Sequence, residues 1–172
     1  PSPNPGRGSY ILEGPGGWKA GVLNLQGRVF MEPLDCPFRV ADGEVAKLRA
    51  STHFIIVDFH AEATSEKQAL GWHLDGKVSA VIGTHTHVAT ADERILPRGT
   101  AYITDVGMVG GYRSVIGIRP EQAVARFLTG RPQRFEPEKE GLILSSVFIE
   151  VDAATGRALS IRRETIVEES GD

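Results

Sequence analysis

Two histidines, His85 and His87, stand one residue apart at the end of an apolar run in "VIGTHTHVATADERILPRG", in a chain that has only five histidines. On an extended segment, residues i and i+2 project to the same side. Two imidazoles so placed repel when both are protonated, and a metal ion or a phosphate between them removes the conflict. Neutral imidazole is a common ligand for zinc, manganese and iron. A third histidine, His60, closes an earlier apolar run, "HFIIVDFH". Three imidazoles suffice for a mononuclear site. A two-metal phosphate hydrolase needs a bridging carboxylate and further oxygen ligands as well. Asp58, Glu62, Asp92, Glu93 and Asp105 are the nearby carboxylates. Asp58 shares the face of His60, where a buried carboxylate needs a partner; orienting a ligand imidazole is one such use, and direct ligation is another. His53 and His73 read as ordinary, one opening a strand and the other lying mid-helix beside Trp72.

The elements that must position these side chains follow from patterning. "HFIIVDFH" (53–60) and "VSAVIG" (78–83) are near-continuous apolar runs, the mark of strands buried on both faces. Between them, 64–76 reads as a helix with a capping-box spacing at Ser65 and Gln68 and a stop at Gly76. Strand, helix, strand makes a right-handed βαβ unit with parallel strands. Parallel strands end at one edge, so His60, His85 and His87 are expected to converge at the carboxyl edge, where open α/β sheets bind ligands. A third buried strand (100–107) runs into the glycine-rich loop "DVGMVGGYRSVIG", whose Tyr112, Arg113 and Ser114 are candidate contacts to a phosphate or base. Strands at 9–14 and 18–25, helices at 39–50 and 119–130, and a C-terminal hairpin turning at 153–156 complete the pattern. Pro120 lies in the first turn of the last helix and Gly130 at its end.

Composition narrows the function classes. The chain of 172 residues is long enough for a real core and is read as a single domain over 1–172. A hydrophobic fraction of 41% fits a soluble globular protein. A net charge of −3 gives no electrostatic reason for nucleic-acid or anionic-membrane binding. A lone cysteine, Cys36, rules out an internal disulfide and fits a reducing compartment. No apolar run approaches the ~18 residues of a membrane helix. The opening "PSPNPGRGSY" has neither an initiator Met nor an apolar core; it reads as a loop cut open, so a C-terminal portion of a cytoplasmic protein is expected. Homo-oligomerisation is left open.

The strings "NLQGRVFMEPLDCPFR", "VDFHAEATSEKQALGWHLDGKVSAVIGTHTHVATADERILPRGTAYITDVGM" and "SVIG" together resemble the YmdB-type bacterial metallophosphoesterases of the calcineurin-like superfamily. The superfamily's late GHxH motif stands here as "GTHTH". The resemblance extends over nearly the whole chain. It implies an α/β fold, a β-sandwich flanked by helices, with two divalent metal ions (Mn, Fe or Zn) and phosphodiesterase activity on cyclic nucleotides. By position, His60 and His85 resemble ligands of the second metal and His87 a ligand of the first. The family's opening aspartate strand, its Glu–Asn pair, its further Asn and the adjacent histidine that serves as general acid have no match in this sequence. The N-terminal strands are therefore expected to be missing. Two other readings stand beside this one: a regulatory protein that keeps the fold without turnover, and a different metal-dependent hydrolase of amidohydrolase type.

Overall fold

The computed structural model describes residues 5–168. In chain order, β1 (Ser9–Glu13) and β2 (Lys19–Gln26) flank a short 3-10 turn at Pro15–Gly17, and α1 (Pro37–Arg49), β3 (Ile55–His60), α2 (Thr64–Leu74) and β4 (Ala80–Thr84) follow. Next come β5 (Arg94–Ile95), β6 (Ala101–Ile103), β7 (Val109–Gly111), α3 (Pro120–Thr129), β8 (Leu142–Val151) and β9 (Ala158–Glu168). Six strands form one sheet in the order β1-β2-β3-β4-β6-β5, and three form a second in the order β7-β8-β9. The fold is mixed α/β.

The expected βαβ unit is present: β3 and β4 pair in parallel, Ile56 against Ala80 through His60 against Thr84. A second unit precedes it, because β2 also pairs parallel to β3 after the α1 crossover. Then β6 joins β4 in parallel. Four consecutive parallel strands thus present their carboxyl ends at one edge. Residues of β3 alternate: Ile55, Val57 and Phe59 are fully buried with α1 and α2, in a core that includes Val45, Leu48, Leu70 and Leu74. Asp58 and His60 take the other face and stay half-buried. On that face the second sheet packs through small residues, Ala80, Ala101 and Ala158, with Ile82, Ile149 and Ile161 around them.

Several expectations shift in detail. Helix α1 begins at Pro37, before the expected position 39, with proline in its first turn. The capping box at Ser65 and Gln68 does not form. Ala63 is the N-cap, with no side-chain bond, because the helix starts at Thr64 and Ser65 is already inside it. The stop at Gly76 (φ 78°) and the left-handed Gly130 after α3 (φ 65°) stand as expected. The tail is a hairpin, its turn closed by the Asp152 carboxylate, which accepts from the N–H groups of Ala154 and Thr155. The short strands β5 and β7 had no signal, since two or three residues carry no periodicity.

Gly83, next to the end of β4, is required by a close approach. A Cβ there would lie 1.7 Å from the Thr104 carbonyl oxygen, a backbone atom that cannot turn aside. Gly43, inside α1, faces open space. Gly83→Ala should therefore lower unfolding stability in urea by about 3 kcal/mol or more. Gly43→Ala should raise it by up to about 1 kcal/mol. Similar, small effects from both would contradict the close packing of β4 on the Thr104 segment.

Candidate metal and phosphate site

The parallel register decides which side chains meet. Asn24, Asp58 and Ile82 lie abreast, as do Gln26, His60 and Thr84. Asp58 Oδ2 accepts from Asn24 Nδ2 at 2.8 Å, and Asp58 Oδ1 accepts from Thr84 Oγ1 at 3.1 Å. The only proton of the Thr84 hydroxyl is spent on Asp58. Its oxygen therefore accepts the proton of His60 Nδ1, 3.2 Å away. The relay fixes the His60 tautomer and leaves a lone pair on Nε2. His87 is fixed in the same sense: its Nδ1 lies 2.9 Å from the Ile116 carbonyl oxygen, which can only accept. Its Nε2 also keeps a lone pair. A ring nitrogen held by an oxygen acceptor, with the other free to ligate, is the usual arrangement of metal-binding histidine.

His85 lies between two partners. Its Nδ1 is 3.1 Å from His60 Nε2, and its Nε2 is 2.5 Å from Glu62 Oε2. The rings of His60 and His85 meet edge to face with centroids 4.9 Å apart. Since His60 Nε2 and Glu62 are both acceptors, His85 satisfies both only by carrying a proton on each nitrogen. A cation shared by His60 and His85 removes that demand. The spacing suits it: two nitrogens each ~2.0–2.1 Å from one ion, at an angle of ~90–110°, stand about 2.9–3.4 Å apart. The donor set thus fits a divalent metal.

The contacts run in a line from Glu62 through His85 to His60. Among the described residues no three His, Cys, Asp or Glu side chains surround a common centre. No hydrogen bond joins His87 to either of the other imidazoles there. It is exposed, and it borders an apolar cavity of about 440 Å³ walled by Met108, Gly110, Ile116 and Phe135. Tyr112 and Arg113 are exposed on the adjoining loop. The Ser114 hydroxyl is committed to that loop, donating to Gly111 O and accepting from Gly117 N.

Among the described residues, four that are not glycine have positive φ: Phe30 (61°), His85 (131°), His87 (64°) and Ile116 (49°). All four adjoin this site. Ile116 holds His87. Phe30 precedes Met31, whose sulfur accepts the Glu62 N–H, and Glu62 holds His85. Such conformations cost of order 1–3 kcal/mol each and gather where surrounding contacts impose them.

Three anchoring carboxylates were not distinguished as such by the sequence. Glu66 is buried and accepts from the N–H groups of Arg28 and Val29, clamping the loop after β2. Asp105, a candidate by proximity only, is fully buried, and its carboxylate meets Lys67 and two backbone N–H groups rather than an imidazole. Asp92 accepts from Thr104 N–H and Thr104 Oγ1, tying the loop after His87 back to the end of β6. Burial acts to raise the Asp92 carboxyl pKa, but the bonds from Thr104 and Thr90 outweigh it and hold it below the usual carboxylate range. Glu93 pairs with Arg163 on the surface.

With this geometry in place, the similarities to other proteins are informative. The sequence profile described as "YmdB-like protein" matches residues 1–164. The chain belongs to the YmdB-like family. It is 51% identical over 163 residues to the 2',3'-cyclic-nucleotide 2'-phosphodiesterase of Bacillus subtilis (strain 168), a match covering 95% of this chain and 61% of that protein. The fold of this YmdB-like chain superposes with a TM-score of 0.90 on a hypothetical protein from Thermus thermophilus, at 44% identity, covering 98% of this chain and 65% of that one. The crystal structure of a novel phosphatase from Mycoplasma pneumoniae matches with a TM-score of 0.85 at 44% identity, covering 96% of this chain and 59% of that one. The chain thus spans about three fifths of the length of the curated relative.

Two outcomes follow from the site. Thr84→Val keeps the shape but frees the His60 tautomer. Affinity for Mn²⁺, measured by titration calorimetry, should fall about 10–100-fold; an unchanged affinity would contradict the relay. Asp92 has a folded pKa below its unfolded one, so its contribution to stability is present above ~pH 4 and is lost as pH falls through the folded value. The stability advantage of the natural protein over Asp92→Asn in urea should shrink on acidification below ~pH 4. An advantage independent of pH would contradict that assignment.

Proposed function

We propose that this protein is a metal-dependent phosphodiesterase acting on phosphodiesters, with cyclic nucleotides as the substrate class, and that His60, His85 and His87 are its metal ligands on a calcineurin-like fold. The observation that carries the reading is the His60–His85 pair: two nitrogens 3.1 Å apart, one with a fixed lone pair, the other placed where a cation shared with His60 satisfies it. The relationship to a protein named as a 2',3'-cyclic-nucleotide 2'-phosphodiesterase supplies the reaction class.

Bound divalent ions, two in this reading, supply a Lewis acid for the phosphoryl oxygens and lower the pKa of an attacking water. The residues of this chain prepare the place. Asp58 and Thr84 hold His60 with Nε2 presented. Glu62 accepts the hydrogen bond of His85 Nε2–H and so fixes which nitrogen is turned toward His60. The Ile116 carbonyl performs the same service for His87. The loop carrying Tyr112 and Arg113 borders the cavity beside His87 and forms part of the substrate wall. Protonation of the leaving oxygen falls to a histidine outside this set, as the family resemblance implies.

The test is hydrolysis of a 2',3'-cyclic nucleotide by the full-length protein, before and after chelation. Chelator should abolish turnover and added Mn²⁺ should restore it. His85→Ala should remove most of the activity. His73→Ala should leave it nearly intact, since His73 pairs with Asp42 on the far helices. Turnover unaffected by chelation, or equal losses from the two variants, would overturn the assignment.

A further inference from the structure

We infer that Lys67 and Asp105 form a buried positioning pair that sets the directions of the His85 and His87 imidazoles through the single peptide N–H between them. The inference rests on the reading of those histidines as metal ligands. It assigns a function to two residues that touch neither imidazole.

Lys67 and Asp105 are 1% and 0% exposed, and Lys67 Nζ lies 3.0 Å from Asp105 Oδ2. Taking both charges out of water is expensive, and apolar residues of the same volume stabilise a fold at least as well. Stability alone is therefore a poor reason for this pair. What the carboxylate holds gives a better one. Asp105 Oδ2 also accepts from Thr86 N–H at 2.9 Å, while Oδ1 accepts from Gly107 N–H at 3.0 Å. Among the described residues, the bond from Thr86 N–H is the one hydrogen bond made by the backbone N–H groups of His85–His87. That segment carries positive φ at both histidines; its own local bonds run from the Thr86 hydroxyl to Val88, not to the N–H groups of His85–His87. One carboxylate oxygen thus fixes the peptide that joins His85 to Thr86, the residue between the two imidazoles.

The lysine has two effects. It neutralises Asp105, so the carboxylate stays buried instead of swinging out toward a cation. It also comes from α2, the helix that follows His60, and so links the element after one ligand to the loop bearing the other two. Its path passes the glycine of "GTHTH": a Cβ on Gly83, already excluded by the Thr104 carbonyl, would also lie 3.1 Å from Lys67 Cδ.

The experiment compares two neutral replacements in the full-length protein. Lys67→Met with Asp105→Asn keeps an oxygen acceptor for Thr86 N–H; Lys67→Met with Asp105→Ala removes it. Mn²⁺ affinity and the Co²⁺ absorption spectrum are read alongside the thermal midpoint. The Asn double variant should keep Mn²⁺ affinity within a few-fold of the natural protein and keep its Co²⁺ spectrum. The Ala double variant should lose about tenfold or more in affinity and show an altered spectrum. Equal affinities in the two, whatever their midpoints, would mean that the pair serves stability alone and would overturn the inference. A second measurement needs no variant: Thr86 N–H should exchange with solvent deuterium much more slowly than the N–H groups of His85 and His87. Equal exchange would also overturn it. If the natural protein binds no Mn²⁺, the metal reading fails, while the exchange rates still decide whether Asp105 holds Thr86.

Discussion

Asp105 has no exposed surface, and a carboxylate so placed must be neutralised and hydrogen-bonded on every side. At the end of β6 it gathers what the fold can offer: an ammonium from α2, an N–H from the loop after β4 and an N–H from the turn after its own strand. These partners come from elements that only a parallel sheet brings to one edge. The sheet makes the meeting available, and the buried charge makes it obligatory. Gly83 is part of the same solution, because any side chain there would keep Lys67 and the Thr104 carbonyl from passing.

The same device recurs around the edge. Glu66 clamps the loop after β2 by two N–H groups, and Asp92 returns the loop after His87 to β6. Each uses a carboxylate as a staple for backbone that is in no strand or helix. The loops so held carry the strained residues Phe30, His85 and His87. Rigid anchoring and local strain belong together here. Without the staples the chain would relax to ordinary dihedrals, and the imidazoles would lose the directions that the proposed ligation demands.

Much of this was legible in the sequence. The apolar runs ending in His60 and preceding His85, with a helix between them, require parallel strands, and parallel strands require a shared edge. The His60–His85 contact at 3.1 Å is that argument realised. Long strings shared with the YmdB-type enzymes carried the family. What could not be read was anything depending on a side chain reaching across the fold. Lys67 looks like a solvated first-turn residue until the packing of α2 on β4 is known, and it is 1% exposed. Ser114 looks like a ligand contact until its loop curls back and takes its hydroxyl. The capping box failed because a one-residue shift in helix start moves Ser65 out of register, a distinction finer than spacing resolves. His87 is held in a way that also had no signal in the sequence. Its bond to Ile116 depends on a strained turn that has no local signature.

His60, His85 and His87 are proposed to hold divalent metal at the carboxyl edge of the sheet. A crystal of the full-length protein grown with Mn²⁺, measured at wavelengths that bracket the manganese absorption edge, tests it directly. Strong anomalous peaks are expected ~2.0–2.3 Å from a ring nitrogen of His60, His85 and His87, with His60 binding through Nε2. Anomalous density elsewhere, or peaks contacting none of these imidazoles, would contradict it.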